Sequence, residues 1–176
     1  MVGRKRKLGK RTASGRVVKP YENPKRQVME QPHRRDLPAQ FRDRPEPESP
    51  FGQLMCLGII TPAQHEAGKR YRDISFAYRA VVSGAPYPHP QAISLLSVHG
   101  RGGEPSRETI QAIKGVYDAA FEALSEAGNR PQRAVKDHAV FERPCTDEYS
   151  HALLRRGLDR VVEHYGIDPG LKIERH

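Results

Sequence analysis

The segment TPAQHEAGKRYRDISFAYRAVV, residues 61–82, carries a complete helix signature. Thr61 is a capping residue followed by Pro62 at the first helical position, and Gln64 stands where a capping box needs Glu or Gln. Apolar residues then recur at spacings of three and four, which is typical of one buried helix face. That face comprises Ala63, Ala67, Tyr71, Ile74, Tyr78 and Val81. Phe76 lies off it.

The same start and stop signals predict four further helices. Each begins at a capping residue or a proline and ends at a glycine or a proline. In chain order they run from Ser49 to Gly58, from Ser106 to Gly128, from Pro131 to Pro144, and from Thr146 or Asp147 to Gly166. A long Gly- and Pro-rich loop is expected at residues 84–105. Because strand-like alternation never persists, the predicted fold is all-α, a small orthogonal bundle of about five helices.

The positive charge is concentrated at the N-terminus. The chain has 176 residues and a formal net charge of +9. Residues 1–50 hold 14 Lys and Arg against 6 Asp and Glu, whereas the other 126 residues hold 16 against 15. Prolines are frequent between residues 20 and 50, and apolar residues are few, so packing cannot offset the entropy of ordering. Residues 1–48 are therefore predicted to be a disordered basic arm, 49–168 a helical domain and 169–176 a tail.

Lys and Arg at the density found in the arm favour a polyanionic partner, DNA or RNA. Such side chains neutralise phosphates and release counterions, which gives salt-sensitive binding of low sequence preference. The candidate nucleic-acid contacts are Arg4, Lys5, Arg6, Lys7, Lys10, Arg11, Arg16, Lys19, Lys25, Arg26, Arg34 and Arg35.

Two other faces could meet DNA or a protein partner. The short turn at Gly58 between two helices has the pattern of a helix-turn-helix, and the second helix offers Gln64, His65, Lys69 and Arg70 to a groove. An ordinary helical hairpin has the same pattern and is far more common. The last helix carries Arg155, Arg156 and Arg160, but neighbouring acidic residues favour a solvated face there.

Catalysis, a metal and a cofactor are not expected. Cys145 and His151 are six residues apart, which does not place them on one helix face, and the two cysteines show no zinc-like spacing with histidines. Phosphate-binding and dinucleotide-binding motifs are missing from the sequence. The sequence shows neither a membrane-spanning apolar run nor a secretory signal, so a cytoplasmic, nucleoid-associated bacterial protein without a membrane partner is expected.

Two segments carry a resemblance to a known family. GIITPAQHEAG, residues 58–68, and LRRGLDRVVEHYG, residues 154–166, together resemble a small helical domain common in alphaproteobacteria and their phages. That domain is similar to the one in activators of gene transfer agents, which are domesticated phage-like particles. The resemblance spans residues 50–168 and does not cover the arm. It implies a partner, RNA polymerase, and for one branch of the family an activity, processive antitermination.

These observations predict a transcription regulator of phage-like late genes rather than an enzyme. The helical domain would bind RNA polymerase, and the basic arm would contact nascent RNA or nearby DNA. The alternative is a sequence-specific helix-turn-helix protein, such as a repressor or a small terminase subunit. A ribosome-associated RNA binder is a third hypothesis. Base-specific effects of changes at Gln64 or Arg70 would favour the helix-turn-helix alternative.

Overall fold

The computed structural model describes residues 24–82 and 105–171, and all regular structure in these residues is helical. The all-α prediction is confirmed. Seven α-helices occur in the described part of the chain: α1 (Pro24–Met29), α2 (Pro32–Arg35), α3 (Pro50–Cys56), α4 (Pro62–Val81), α5 (Arg107–Glu126), α6 (Asn129–Val135) and α7 (Glu148–Tyr165). A π-helical turn, Lys136–Val140, follows α6 directly, and two 3₁₀ turns, Ala39–Phe41 and Glu46–Glu48, lie between α2 and α3.

The predicted capping residues begin the helices of the domain. The side chain of Thr61 accepts a hydrogen bond from the backbone amide of Gln64, and the Gln64 side chain accepts one from the Thr61 backbone amide, which completes the capping box of α4. Ser49 and Ser106 cap α3 and α5 with their side chains, and Asp147 rather than Thr146 caps α7. These side chains satisfy amide donors that have no partner within the helix.

Gly58 ends the turn after α3 as predicted. Its φ angle is +73°, a left-handed conformation that residues with a Cβ adopt at a cost. The amide of Ile59 donates to the carbonyl of Leu54 at 2.9 Å, which closes the end of α3 and directs the chain into α4. Ile60 is buried beside this turn, so the α3–α4 connection is part of the core.

The core lies between α4 and α7, with α3, the end of α5, α6 and the π-turn packed around them. The α4 face confirms the periodicity at Ala63, Ala67 and Tyr71, which are fully buried. On α7, the corresponding buried residues are Leu154, Leu158, Val161 and Val162. Close packing of these two helices against each other joins the beginning of the domain to its end.

Three details of the predicted core differ in the structure. Ile74, Tyr78 and Val81, the second half of the predicted α4 face, are only half-buried. Phe76, which lies off the predicted stripe of α4, is buried at 7% exposure because α4 is covered on more than one side. On α5, only Ala120 and Leu124 are buried, and Val116 is 50% exposed. The first turns of α5 therefore extend beyond the core, although their apolar periodicity is that of a buried helix. The predicted loop at 84–105 lies almost entirely outside the described residues.

The expected domain boundary at residue 49 differs from the structure, because residues between 34 and 48 pack on the domain. Leu37 is 3% exposed and joins the core, and Pro47 is also buried. Proline marked this segment as disordered in the sequence, but Pro24, Pro32 and Pro47 occupy first-turn positions of short helices and 3₁₀ turns, where they are tolerated. Among the described residues, helical structure therefore begins with α1 at Pro24.

A buried arginine holds this segment together. The side chain of Arg34 is 1% exposed. Its Nη1 donates to the carbonyls of Arg42 at 2.8 Å and Arg44 at 2.6 Å, and its Nη2 lies 3.3 Å from the Glu48 carboxylate. Nε donates to the Gln31 side chain at 3.2 Å. Hydrogen bonds from the planar guanidinium of Arg34 therefore order residues 34–48, which contain too few apolar residues to be ordered by hydrophobic packing alone.

None of the helices in the described ranges is long and apolar enough to cross a membrane.

Candidate nucleic-acid interface

The twelve predicted nucleic-acid contacts fall into four groups in the structure. Eight of them, from Arg4 to Lys19, lie outside the described residues. Lys25 and Arg26 belong to α1. Arg34 is buried and bonded internally, so its prediction as a phosphate contact is wrong. Arg35 is exposed, and its Nε donates to the carbonyl of Glu30 at 3.2 Å.

Charge counts on either side of residue 24 narrow the region that carries the excess charge. Residues 1–23 contain eight Lys and Arg and one acidic residue. Residues 24–48, which the sequence assigned to the same arm, contain six Lys and Arg and five acidic residues. The folded segment is therefore almost balanced, and the basic N-terminal segment is redefined as residues 1–23.

The helix-turn-helix face does not present its expected base-reading residue. Gln64 is 6% exposed, and its side chain both completes the α4 capping box and donates through Nε2 to Asp159 at 2.7 Å. Lys69 and Arg70 both pair with Glu66, at 3.7 Å and 3.1 Å. A groove-reading helix needs free polar side chains near its N-terminus. The start of α4 is instead bonded to α7.

His65 is also part of the packing rather than of an exposed face. Its ring stacks on Phe51 of α3 with 5.2 Å between the ring centroids. Loss of hydration and the nearby charges of Lys69 and Arg72 lower the pKa of His65 to about 4. The ring is therefore neutral at physiological pH and holds no charge for a phosphate.

The arginines of α7 lie on its solvent side, as predicted. Arg155 and Arg156 are exposed, and no carboxylate among the described residues pairs with either of them. Arg160 pairs with Glu163 at 2.8 Å. The two neighbouring arginines make this a weakly basic strip, diluted by Asp159 and Glu163.

A second basic surface is formed by residues that were not selected from the sequence. We call it the cation–aromatic surface, and it consists of Arg79 on α4, Phe121 on α5, Lys136 in the π-turn, and Phe141 and Arg143 after that turn. Phe141 is 44% exposed. The guanidinium carbons of Arg79 and Arg143 lie 5.5 Å and 5.9 Å from its ring centroid, and the Lys136 ammonium lies 4.6 Å from the Phe121 centroid.

Local backbone geometry places Phe141 on this surface. The π-turn ends α6 abruptly, and the amides of Phe141 and Arg143 donate back to the carbonyls of Lys136 and Asp137. Glu142 has a φ angle of +51°, unusual for a residue other than glycine, and its carboxylate pairs with Arg72 of α4. That ion pair fixes the loop against α4 and leaves the phenyl ring beside it in solvent.

The cations of this surface are unequally paired. Arg143 bonds to Asp137 at 2.8 Å. By contrast, Arg79 and Lys136 have aromatic partners but no carboxylate partner within residues 24–82 and 105–171. Burial lowers the pKa of Lys136. Two cations are thus held in place by rings, with their charge free for an anion.

Sequence patterns could not find this surface because its members lie on different elements. Phe121 belongs to the apolar stripe of α5, which the sequence predicts to be buried in the core. Phe141 and Arg143 lie between the end of a helix and Pro144. The one feature of the sequence that could have indicated this surface is an aromatic residue next to charged residues. The juxtaposition of Arg79 with Phe141 requires the packing of α4 against the π-turn.

The described residues hold no arrangement typical of catalysis. Cys145 is buried, and the ring of His151 contacts the backbone carbonyl of Cys145 at 3.0 Å, not its sulfur. Burial raises the pKa of Cys145, and raises that of Cys56 to about 11, so both thiols stay protonated. Within the same residues, no group of three or more His, Cys, Asp or Glu side chains is placed to hold a metal ion.

Comparison with models of protein families, with curated proteins and with solved structures found no match to this chain.

Proposed function

We propose that the protein is a nucleic-acid-associated transcription regulator in which separate parts contact nucleic acid and protein. The observation that carries this proposal is the segregation of charge. Eight of the nine charged residues before residue 24 are basic, whereas the folded residues that follow are close to neutral. A dense cationic segment attached to a neutral domain is typical of sequence-tolerant phosphate binding by a tail and protein docking by a domain.

RNA polymerase is the partner that we propose for the helical domain, and antitermination of phage-like late genes is the proposed activity. Both rest on the resemblance of residues 58–68 and 154–166 to regulators of gene transfer agents. The fold is compatible with this role, because α1 follows the basic segment directly at residue 24. A domain bound to polymerase would keep that segment near the nucleic acid that enters or leaves the enzyme.

The helix-turn-helix alternative has less support. The turn at Gly58 is tight, but Gln64 is bonded to Asp159, and Lys69 and Arg70 share Glu66. A repressor or small terminase subunit that reads DNA with the start of α4 would have to break these contacts. The helix-turn-helix interpretation is therefore the weaker of the two hypotheses.

A pull-down from nuclease-treated native lysate tests the proposal. Tagged full-length protein and a variant that lacks residues 1–23 are the matched pair. We expect RNA polymerase subunits to be recovered with both, because the domain makes the protein contact and nuclease removes bridging nucleic acid. Recovery of polymerase with neither protein would contradict the polymerase role. Recovery only with the full-length protein would place the contact in the basic segment.

A further inference from the structure

The cation–aromatic surface has no role in the function proposed so far, which assigns nucleic acid to the N-terminal segment alone. Its central feature is an exposed phenyl ring with two guanidinium groups within 6 Å of its centroid. Phe141 is 44% exposed, and Arg79 and Arg143 lie 5.5 Å and 5.9 Å from its centroid. An isolated exposed Phe needs no explanation, but one flanked by cations from two different elements forms a defined arrangement.

The backbone around Phe141 is held in an uncommon conformation. A π-turn precedes it, and Glu142 follows it with a φ angle of +51°. Both features cost free energy relative to a regular helix end, and both occur frequently at functional sites. The ion pair of Glu142 with Arg72 stabilises this conformation. The domain therefore uses specific contacts to keep a hydrophobic ring in solvent.

The charge around the ring is positive. Arg72, Arg79, Arg133, Lys136 and Arg143 are cations of α4, α6, the π-turn and the following loop, and Asp73, Asp137 and Glu142 are the carboxylates that pair with three of them. Asp137 is shared by Arg133 and Arg143, and Glu142 binds Arg72. Arg79 and Lys136 have no carboxylate partner in the part of the chain that the structure describes. An anionic ligand would complement these two charges.

We propose that the cation–aromatic surface binds an unpaired strand of nucleic acid, with a base stacked at Phe141 and neighbouring phosphates contacting Arg79 and Lys136. This deepens the proposed function, on which it rests, by giving the folded domain a strand-binding site of its own. An unpaired strand combines the two features that the surface offers to bind, a flat apolar face and negative charge. Stacking on an aromatic or guanidinium plane accepts every base, so this site adds affinity without sequence preference.

A duplex does not fit the same surface as well. Its bases are already stacked on each other, and only its ends expose a base face. A duplex would contact Arg79 and Lys136 through phosphates and leave the Phe141 ring without a partner. Preference for a single strand over the duplex of the same sequence is therefore the distinguishing property of this site.

The chain has no tryptophan, so Phe141→Trp introduces a single reporter at the site. Stacking of a base on the indole quenches its fluorescence. The full-length variant is titrated with an oligouridylate of about twelve nucleotides, within the range that one small domain covers, and with a duplex of equal length. Leu57→Trp, at a position 52% exposed in the α3–α4 turn, is the control for quenching by strands held nearby. We expect the indole at position 141 to be quenched by the single strand only, and the indole at position 57 to be quenched little.

Anisotropy of the labelled oligouridylate is recorded in the same titration and reports all binding, including that of residues 1–23. Binding without preferential quenching at position 141 would overturn the inference and leave the proposed function intact, whereas no binding at all would overturn both. Because Phe141→Trp could perturb the loop, Arg79→Gln provides an independent measurement on the native ring. It should weaken binding of the single strand by about fivefold or more, and an unchanged affinity would also contradict the site.

Discussion

At the scale of single residues, Arg34 holds the segment before α3 in its folded conformation. Its guanidinium donates to the carbonyls of Arg42 and Arg44 and pairs with Glu48. In the sequence, Arg34 and Arg35 are neighbours of the same type, and nothing local distinguishes the buried one from the exposed one. Only the turns that bring residues 42–48 back over α2 make the difference, and these are tertiary contacts.

Arg34→Leu should destabilise the protein by about 2 to 4 kcal/mol, because it leaves buried carbonyls without a donor. Arg35→Ala, next to it on the same short helix, should change the free energy of unfolding by less than about 0.5 kcal/mol. Urea denaturation followed by circular dichroism measures both. Equal effects of the two substitutions would show that Arg34 does not organise the segment.

His65 predicts a pH dependence of stability. Its pKa in the folded protein is about 4, below the ordinary value of 6.5, because its ring packs on Phe51 near Lys69 and Arg72. Between these two values the unfolded chain binds a proton that the folded chain does not, so stability should fall as the pH drops from 6.5 towards 4. His65→Phe keeps the ring contact and should make that fall shallower. If the variant and the parent lose stability in parallel, other groups cause the dependence.

At the scale of elements, close approach between helices depends on glycine. A Cβ on Gly68 of α4 would lie 2.4 Å from Cζ of Phe51 and 3.2 Å from a methyl carbon of Leu158. Both neighbours are buried in the core, so neither can move away freely. Gly68 therefore sets the distance at which α3 and α7 pack on α4.

Gly68→Ala should lower the free energy of unfolding by about 1 to 3 kcal/mol through overpacking. Gly115→Ala is the matched control, since a Cβ there meets no atom within 4 Å. In that exposed helical position alanine should stabilise α5 by up to about 1 kcal/mol. Opposite signs in thermal melts are the expected result. Destabilisation by both substitutions would argue against the packing described for α4.

The helices themselves were predictable from the sequence because their signals are local. The Thr61–Gln64 capping box, the Ser49 and Ser106 caps and the stop at Gly58 depend on residues within one turn of each other, and all four occur as predicted. The burial of Phe76 was not predictable in this way, since it depends on how many neighbours cover α4. The two candidate sites also differ in whether they depend on local sequence or on tertiary packing. The basic segment is visible as composition, whereas the cation–aromatic surface exists only after α4 packs against the π-turn.

At the scale of the whole molecule, the chain combines a near-neutral helical domain with a short, strongly basic N-terminal segment. The composition of residues 1–50 as a whole concealed the boundary, because residues 1–23 and residues 24–48 both contain many arginines. Balance of charge separates them: residues 24–48 hold six basic and five acidic residues, and residues 1–23 hold eight and one. The boundary predicted at residue 49 from frequent prolines and few apolar residues therefore differs from the structure, in which helical turns occur between residues 24 and 48.

Two deletions test this boundary. Removal of residues 1–23 should leave a domain that unfolds cooperatively with the stability of the full chain. Removal of residues 1–48 should destabilise the domain strongly, because it takes away Arg34 together with the buried Leu37 and Pro47. Thermal melts of both variants measure this. Equal stability of the two truncated proteins would show that residues 24–48 do not stabilise the domain and would support a domain boundary at residue 49.

Residues 1–23 are expected to provide most of the nucleic-acid affinity. The salt dependence of binding, measured for the full-length protein and for the variant without those residues, tests this expectation. With oligouridylate, the slope of log affinity against log salt should become shallower by about 3 or more on deletion, as expected when several cations leave a single strand. Affinity at low salt should fall in parallel. An unchanged slope and affinity would contradict the claim and assign binding to the folded domain.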